Sequence, residues 1–235
     1  MKKKTIPTKW NPLFDNKPTS NIPRISFSKK FSTKYLEERD QILEIGCGVG
    51  SFTHLIDRKG YFALDLDINA IKIAKKYCIN TNFIVASALN LPLRSEIFDL
   101  ICMWGVFEEI PMGTENQIVS EIHRTLKSKA ILLLSIYGDH FITKILDPAF
   151  IFRGVRHYNL QEFRELISNY GLLIGEITVR GGLNTVISNF LVYFYKHVLK
   201  KKEGTIKNYF DKKSSEEIDS GKDGMVYIFI AARKQ

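Results

Sequence analysis

Apolar and polar positions along this chain follow two rhythms, and the switches between them mark a series of strands and helices. Short apolar runs bounded by turn residues fall at 42–46, 61–65, 82–86, 98–103 and 130–136. Runs this short, flanked by polar punctuation, read as buried strands. Between them the apolar residues recur at helix spacing: Phe52, Leu55 and Ile56 within 50–57, Ile68 and Ile71 within 68–77, and a further helix over 114–126. A helix near 159–169 and strands near 172–179 and 225–232 complete the series. Alternating strand and helix predicts a doubly wound α/β domain, a mostly parallel sheet covered on both faces.

The ends depart from that rhythm. Residues 1–25 are polar, with Pro7, Pro12, Pro18 and Pro23 at short intervals, which predicts extended or disordered chain. Ser28 to Glu38 has helix spacing, with Phe31 and Tyr35 on one face. The folded domain is expected over 26–235, with a lid or insertion at 181–224. Within that insertion, residues 183–199 carry no charge before Lys196 and place Leu183, Val186, Ile187, Phe190, Leu191, Phe194 and Val198 on one helical stripe. Three readings stay open for it: a core helix, a lid over an apolar acceptor, or a helix lying on an anionic membrane through 183–202. The charged stretch 200–224 reads as a mobile loop.

The chemistry concentrates in Ile42 to Phe52, I-L-E-I-G-C-G-V-G-S-F. A strand breaks into three alternate glycines, Gly46, Gly48 and Gly50, before a helical pattern begins. Glycine at a strand-to-helix turn allows positive φ and close approach of a ligand to the backbone. The dinucleotide pattern G-x-G-x-x-G/A is not met, because Ser51 occupies its sixth position. Asp65 ends the second apolar run 19 residues after Gly46. A carboxylate about 20 residues beyond such a turn accepts hydrogen bonds from ribose hydroxyls. Asp67 caps the helix that follows.

These residues resemble the class I S-adenosylmethionine-dependent methyltransferases, and in particular the type 11 group that includes quinone-biosynthesis enzymes. The likeness runs in order from L-E-I-G-C-G-V-G through F-A-L-D-L-D-I-N-A-I-K-I-A-K and F-I-V-A-S-A-L-N-L-P-L-R-S-E-I-F-D-L-I to E-I-H-R-T-L-K-S-K-A-I-L-L-L-S-I, with a weaker continuation in Y-N-L-Q-E-F-R-E-L-I-S-N-Y-G-L. It implies a seven-stranded sheet in the order 3-2-1-4-5-7-6 with the last strand antiparallel, and S-adenosylmethionine as cofactor, leaving S-adenosylhomocysteine. It assigns Glu44 and the backbone of Gly46, Cys47, Gly48 and Gly50 to the methionine end, Asp65 to the ribose, and Leu66 to one adenine face. Ser87 and Ala88 fall at the adenine edge. The chain departs from the pattern there, with Ser87 where relatives carry an acid. It departs again at Glu108-Glu109, where relatives often read Glu-His.

Composition adjusts this picture in two ways. The three cysteines, Cys47, Cys78 and Cys102, show no C-x-x-C spacing, so neither a zinc site nor a disulfide framework is expected. With no apolar stretch after Met1-Lys-Lys-Lys, a cytoplasmic protein is expected, with peripheral membrane contact as the variant. The net charge of +9 is uneven. Residues 1–40 hold ten Lys/Arg against four Asp/Glu, residues 181–235 ten against six, and the middle is balanced at fourteen against fifteen. Basic flanks point to an anionic partner, either nucleic acid, an acidic metabolite or a membrane surface.

For methyl transfer the protein must align a nucleophile with an already activated methyl, and a base is needed only for a poorly acidic acceptor. His140, His157 and Tyr137 are the candidate catalytic residues, with Asp139 and Glu108 behind them. Trp104 lies either beside the sulfonium as a cation–π partner or at the edge of the core. The leading expectation is a methyltransferase acting on a small aromatic or lipid-like acceptor at oxygen, carbon or nitrogen. Its rivals are a nucleic-acid methyltransferase and a cofactor-binding protein without catalysis.

Overall fold

The computed structural model describes residues 17–18, 23–37, 40–201 and 204–235. Seven strands form one sheet: β1 (Ile42–Ile45), β2 (Tyr61–Asp65), β3 (Asn82–Val85), β4 (Phe98–Trp104), β5 (Leu126–Tyr137), β6 (Leu172–Arg180) and β7 (Tyr227–Lys234). Their order is β3-β2-β1-β4-β5-β7-β6. The pairs among β1 to β5 are parallel, and β7 runs antiparallel to both β5 and β6. Sheet order and direction match the sequence expectation.

Parallel strands need apolar side chains on both faces, and β4, F-D-L-I-C-M-W, is buried at six of its seven positions. Alternate side chains feed two separate cores. Leu43, Ile45, Ile101, Met103, Leu132 and Leu134 pack under α4 (Glu115–Thr125) and α7 (Leu160–Ser168). On the opposite face Ile42, Leu100, Cys102, Leu133 and Phe229 pack against α1 (Pro23–Ser32), α3 (Ile68–Ala74), α8 (Leu183–Phe194) and α9 (Thr205–Asp219). The short helices α2 (Thr53–Ile56), α5 (Phe141–Leu146) and α6 (Pro148–Arg153) lie on connections that leave the carboxyl ends of β1 and β5.

Two expectations need correction. The N-terminal helix begins at Pro23, not Ser28, so the extended segment expected through residue 25 stops short of that. Proline fits a first helical turn because its missing N–H would be unpaired there anyway. Residues 1–16 and 19–22 lie outside the described residues. The stretch 200–224 is no loop, since α9 fills Thr205–Asp219. Its mean polarity hid a packing face, because Ser214 and Ile218 are buried against the rest of the domain. Of the three readings left open for 183–199, a purely core helix fits least. Its buried residues are Thr185, Val186 and Ser188, while Leu183, Phe190 and Val198 of the apolar stripe are exposed and Ile187, Leu191 and Phe194 half-buried.

Candidate active site

The glycine turn sits at the carboxyl end of β1 and is tied to β2, with the N–H groups of Gly46 and Cys47 both donating to the Leu64 carbonyl at 2.8 and 3.0 Å. Gly46, Gly48 and Gly50 all have positive φ. Space as well as conformation requires the first, since a Cβ on Gly46 would lie 2.4 Å from a Val106 methyl. Asp65, at the tip of β2, joins the two strands. One of its oxygens accepts from Gly48 N–H at 2.8 Å and the other from Asp67 N–H at 2.9 Å. Burial raises its carboxyl above the ordinary range, opposed by those backbone donors. A carboxylate offers about four lone-pair directions, so two remain for a diol. Leu66 beside it is 58% exposed, an apolar surface open to an adenine ring. Ser87 accepts from Leu89 N–H at 3.2 Å and so braces its own loop, with Ala88 half-buried next to it.

Glu44 lies one layer deeper. It is buried and accepts from Thr53 Oγ1 at 2.6 Å and Tyr61 OH at 3.0 Å. Burial pushes its carboxyl up to about 7, the two hydroxyl donors opposing. This shift has a consequence for stability. A carboxyl whose folded value exceeds its unfolded value of 4.5 stabilises the fold at low pH and loses that contribution as pH rises toward about 7. Glu44→Gln keeps an acceptor oxygen and removes the charge. The variant should therefore be more stable than the parent above pH 7, by on the order of 3 kcal/mol at about 1.4 kcal/mol per unit, with the gap closing as pH falls toward 4.5. Denaturant titrations at the two pH values measure it, and a pH-independent difference would remove Glu44 as the titrating group.

The other half of the site lies at the ends of β4 and β5. Trp104 is buried between Phe52 and Phe229, with ring centroids 5.3 and 6.3 Å away, and its indole N–H has no partner. The turn after it seats a side chain from the far N-terminus. Arg24 of α1 lays its guanidinium over Gly105, where an added Cβ would meet it at 2.2 Å. The same guanidinium faces the rings of Tyr137 and Tyr227 at 5.8 and 5.7 Å and donates to Glu108 at 3.1 Å. Glu108 is 2% exposed, its second oxygen has no partner, and neither has Arg24 Nε. Burial pushes Glu108 up to about 7 despite the Arg24 charge, whose single contact leaves half of the carboxylate unsatisfied.

The expected catalytic residues separate. Tyr137 lies in this cluster, stacked on His157 at 5.4 Å. The His157 ring is itself fully enclosed: Nδ1 is 3.1 Å from the Gly138 carbonyl and Nε2 is 2.9 Å from Asp147. Both nitrogens are thus engaged in holding α6 to the end of β5. His140 is exposed and caps α5 by accepting from Ile142 N–H at 3.3 Å. Tyr137 and His157 line a narrow cavity of about 10 Å³ with Leu146, Val186, Asn189 and Val226. His140 lines a wider one of about 190 Å³ with Asp139, Tyr158 and Met225. Sequence reasoning missed Arg24, Gly105 and Tyr227. Only Gly105 carried a signal, as a glycine directly after a buried strand.

Residues 42–129 match the family described as "Methyltransferase domain". Over that stretch the chain carries a methyltransferase domain, and its sheet has the fold of the class I S-adenosylmethionine-dependent methyltransferases. An uncharacterised protein of Methanocaldococcus jannaschii is 25% identical over 185 residues, covering 77% of each chain. A ribosomal protein L11 methyltransferase of Lachnoclostridium phytofermentans is 26% identical over 207 residues, 76% of this chain and 60% of that one. Among solved structures, a SAM-dependent methyltransferase from Methanosarcina mazei superposes with a TM-score of 0.62 at 20% identity, over 87% of this chain and 96% of that one. The methyltransferase match spans the glycine turn, Asp65 and Glu108, which are the parts of the site just described.

The residues fit the cofactor. Asp65, the acid that the resemblance assigns to the ribose, keeps spare acceptor capacity, and the exposed Leu66 stands beside it. Polar atoms of Trp104, Glu108 and Arg24 are buried without partners at the ends of β4 and α1. Native proteins leave few such atoms unpaired, and a polar ligand satisfies them. S-adenosylmethionine supplies an electrophilic methyl on a sulfonium, and the protein's part is to hold and orient what meets it. Among the described residues, no helix is long and apolar enough to cross a membrane.

Proposed function

We propose that this methyltransferase acts on a small, largely apolar molecule at an oxygen, carbon or nitrogen, and that Glu108 takes the proton the acceptor loses. The supporting observation is the buried Glu108 carboxyl near its titration point, with one oxygen unpartnered and Tyr137 close to the same arginine. A base works best when its pKa lies near the working pH. Arg24 holds the carboxylate in place and limits the rise that burial causes. Tyr137 is a positioning residue, with its ring sandwiched between His157 and the Arg24 guanidinium. Asp65 and the glycine turn hold the cofactor at the other end of the crevice. An apolar acceptor suits the exposed apolar side chains of α5 and α6 beyond Tyr137, among them Phe141, Ile145 and Phe152.

The test is to incubate the enzyme and S-adenosylmethionine with metabolite and lipid extracts and search by mass spectrometry for species that gain one methylene mass. A product in the small-molecule fraction, absent with Glu108→Gln, is the expected result. The basic flanks favour a second reading, a nucleic-acid acceptor. That reading predicts methyl incorporation into RNA and retention that falls steeply with salt. Cofactor binding with no product in any fraction would favour a protein that binds without catalysing.

A further inference from the structure

Helix α8 turns a mostly polar side inward, with Val186 as its one buried apolar residue, and leaves much of its apolar side uncovered. On the inward side Glu217 of α9 accepts from the N–H groups of Gly182, Asn184 and Thr185 at 2.9, 3.0 and 2.9 Å and from the side chains of Asn184 and Thr185. Ser214 bonds Thr185 at 2.9 Å, Ser188 donates to Asp211 at 2.6 Å, and Tyr227 OH donates to Asn189 at 2.9 Å. Leu183, Phe190 and Val192 are exposed, and so are Val198 and Leu199 on the π-helical turn Tyr195–Leu199 that continues the helix. A helix on a water-facing surface shows the opposite arrangement.

The neighbouring hairpin of α5 and α6 repeats the anomaly. Phe141, Ile142, Ile145, Leu146, Phe150, Ile151 and Phe152 are all exposed, Phe141 at 75% and Phe152 at 69%. The two surfaces are continuous: the Phe152 ring stacks on Tyr193 of α8 at 6.3 Å, and α5 and α8 line opposite sides of the cavity at Tyr137. An apolar patch of this extent on a folded domain marks an interaction site. Its charge indicates the partner. From Gly181 to Lys201 there is no acid, and the π-helical turn ends directly on exposed Lys200 and Lys201. The one acid of α5 and α6 and their junction, Asp147, is engaged by Ala149 N–H and His157.

We propose that this face docks on an anionic lipid surface, with α5, α6 and α8 lying in the interface and Lys200 and Lys201 against the headgroups. Apolar side chains with flanking lysines are the combination that binds such surfaces in the plane of the membrane. Docking in this orientation turns the cavity between α5 and α8 toward the lipid. Vesicle binding is read without cofactor or acceptor, so its outcome stands apart from the methyl-transfer reading above.

The full chain should co-sediment with vesicles of phosphatidylcholine and phosphatidylglycerol in equal parts, and at least about tenfold more weakly with phosphatidylcholine alone. The triple variant Phe141→Ser, Ile151→Ser, Phe152→Ser should lose at least about tenfold in affinity for the mixed vesicles, and Lys200→Glu with Lys201→Glu a similar amount. All these side chains are exposed, so an unchanged circular-dichroism melt should accompany each loss. Phe152→Trp should shift its emission to the blue when mixed vesicles are added. Binding that ignores the triple substitution, or no binding at all, overturns the proposal. So does sedimentation showing that the same substitutions only split a dimer that has no affinity for lipid.

Discussion

Asp65→Ala should weaken S-adenosylmethionine binding at least tenfold by titration calorimetry. A charge-assisted hydrogen bond to a buried partner is worth about 1.5–3 kcal/mol, so loss of both ribose contacts sets a lower bound of about one order of magnitude. The structure adds a second consequence that the sequence did not announce. The same carboxylate accepts from Gly48 and Asp67 N–H, so alanine also leaves two backbone donors without partners, and the melting temperature should fall. Asp65→Asn separates the two effects. It keeps one acceptor oxygen for the turn but presents a donor where the diol needs an acceptor. Its affinity should fall nearly as far as that of alanine while its stability falls less. Unchanged affinity in folded Asp65→Ala would refute the ribose assignment.

Glu108→Gln should lower the rate of methyl transfer by about 10²–10⁴, the usual contribution of a positioned base. In the parent enzyme kcat/KM should rise with pH through about 7 and level off above it, because the base works only when ionised and burial holds its titration there. The limb should be missing from the glutamine variant. Arg24→Gln removes the charge that stabilises ionised Glu108, so its limb should move to higher pH. A merely structural role for Arg24 would lower activity at all pH values and leave the limb in place. A single flat profile for parent and both variants would exclude Glu108 as the base.

The glycine turn and Asp65 trace to local sequence, whereas Arg24 and the two histidines were decided by tertiary contact. Gly46, Gly48 and Gly50 could be read because positive φ is demanded within a few residues, and Asp65 because strand length and the turn fix its distance along the chain. The strands were legible for the same reason, since an apolar run of four to eight residues is a local property. Arg24 was not legible. Nothing around it distinguishes it from the other cations of the basic flank, and its partner lies 84 residues away. His140 and His157 looked equivalent as isolated histidines. Their difference appears only once Gly138 and Asp147 close around one of them and solvent surrounds the other.

The insertion shows the limit most plainly. Periodicity located the helix at 183–199 and its apolar stripe, because that pattern depends on the turn of the helix alone. It could not say which side faces the protein. Hydrophobic patterning assigns the apolar side inward only when nothing polar competes, and here Glu217, Ser214 and Asp211 on α9 offer hydrogen bonds that hold the polar side down. By itself the sequence determined the strands, the glycine turn and the place of Asp65 at the tip of β2, all of them set by short-range geometry. Only the tertiary structure decided which carboxylate is buried beside Arg24 and which face of α8 meets the surroundings, because burial and charge pairing depend on residues far apart in the chain.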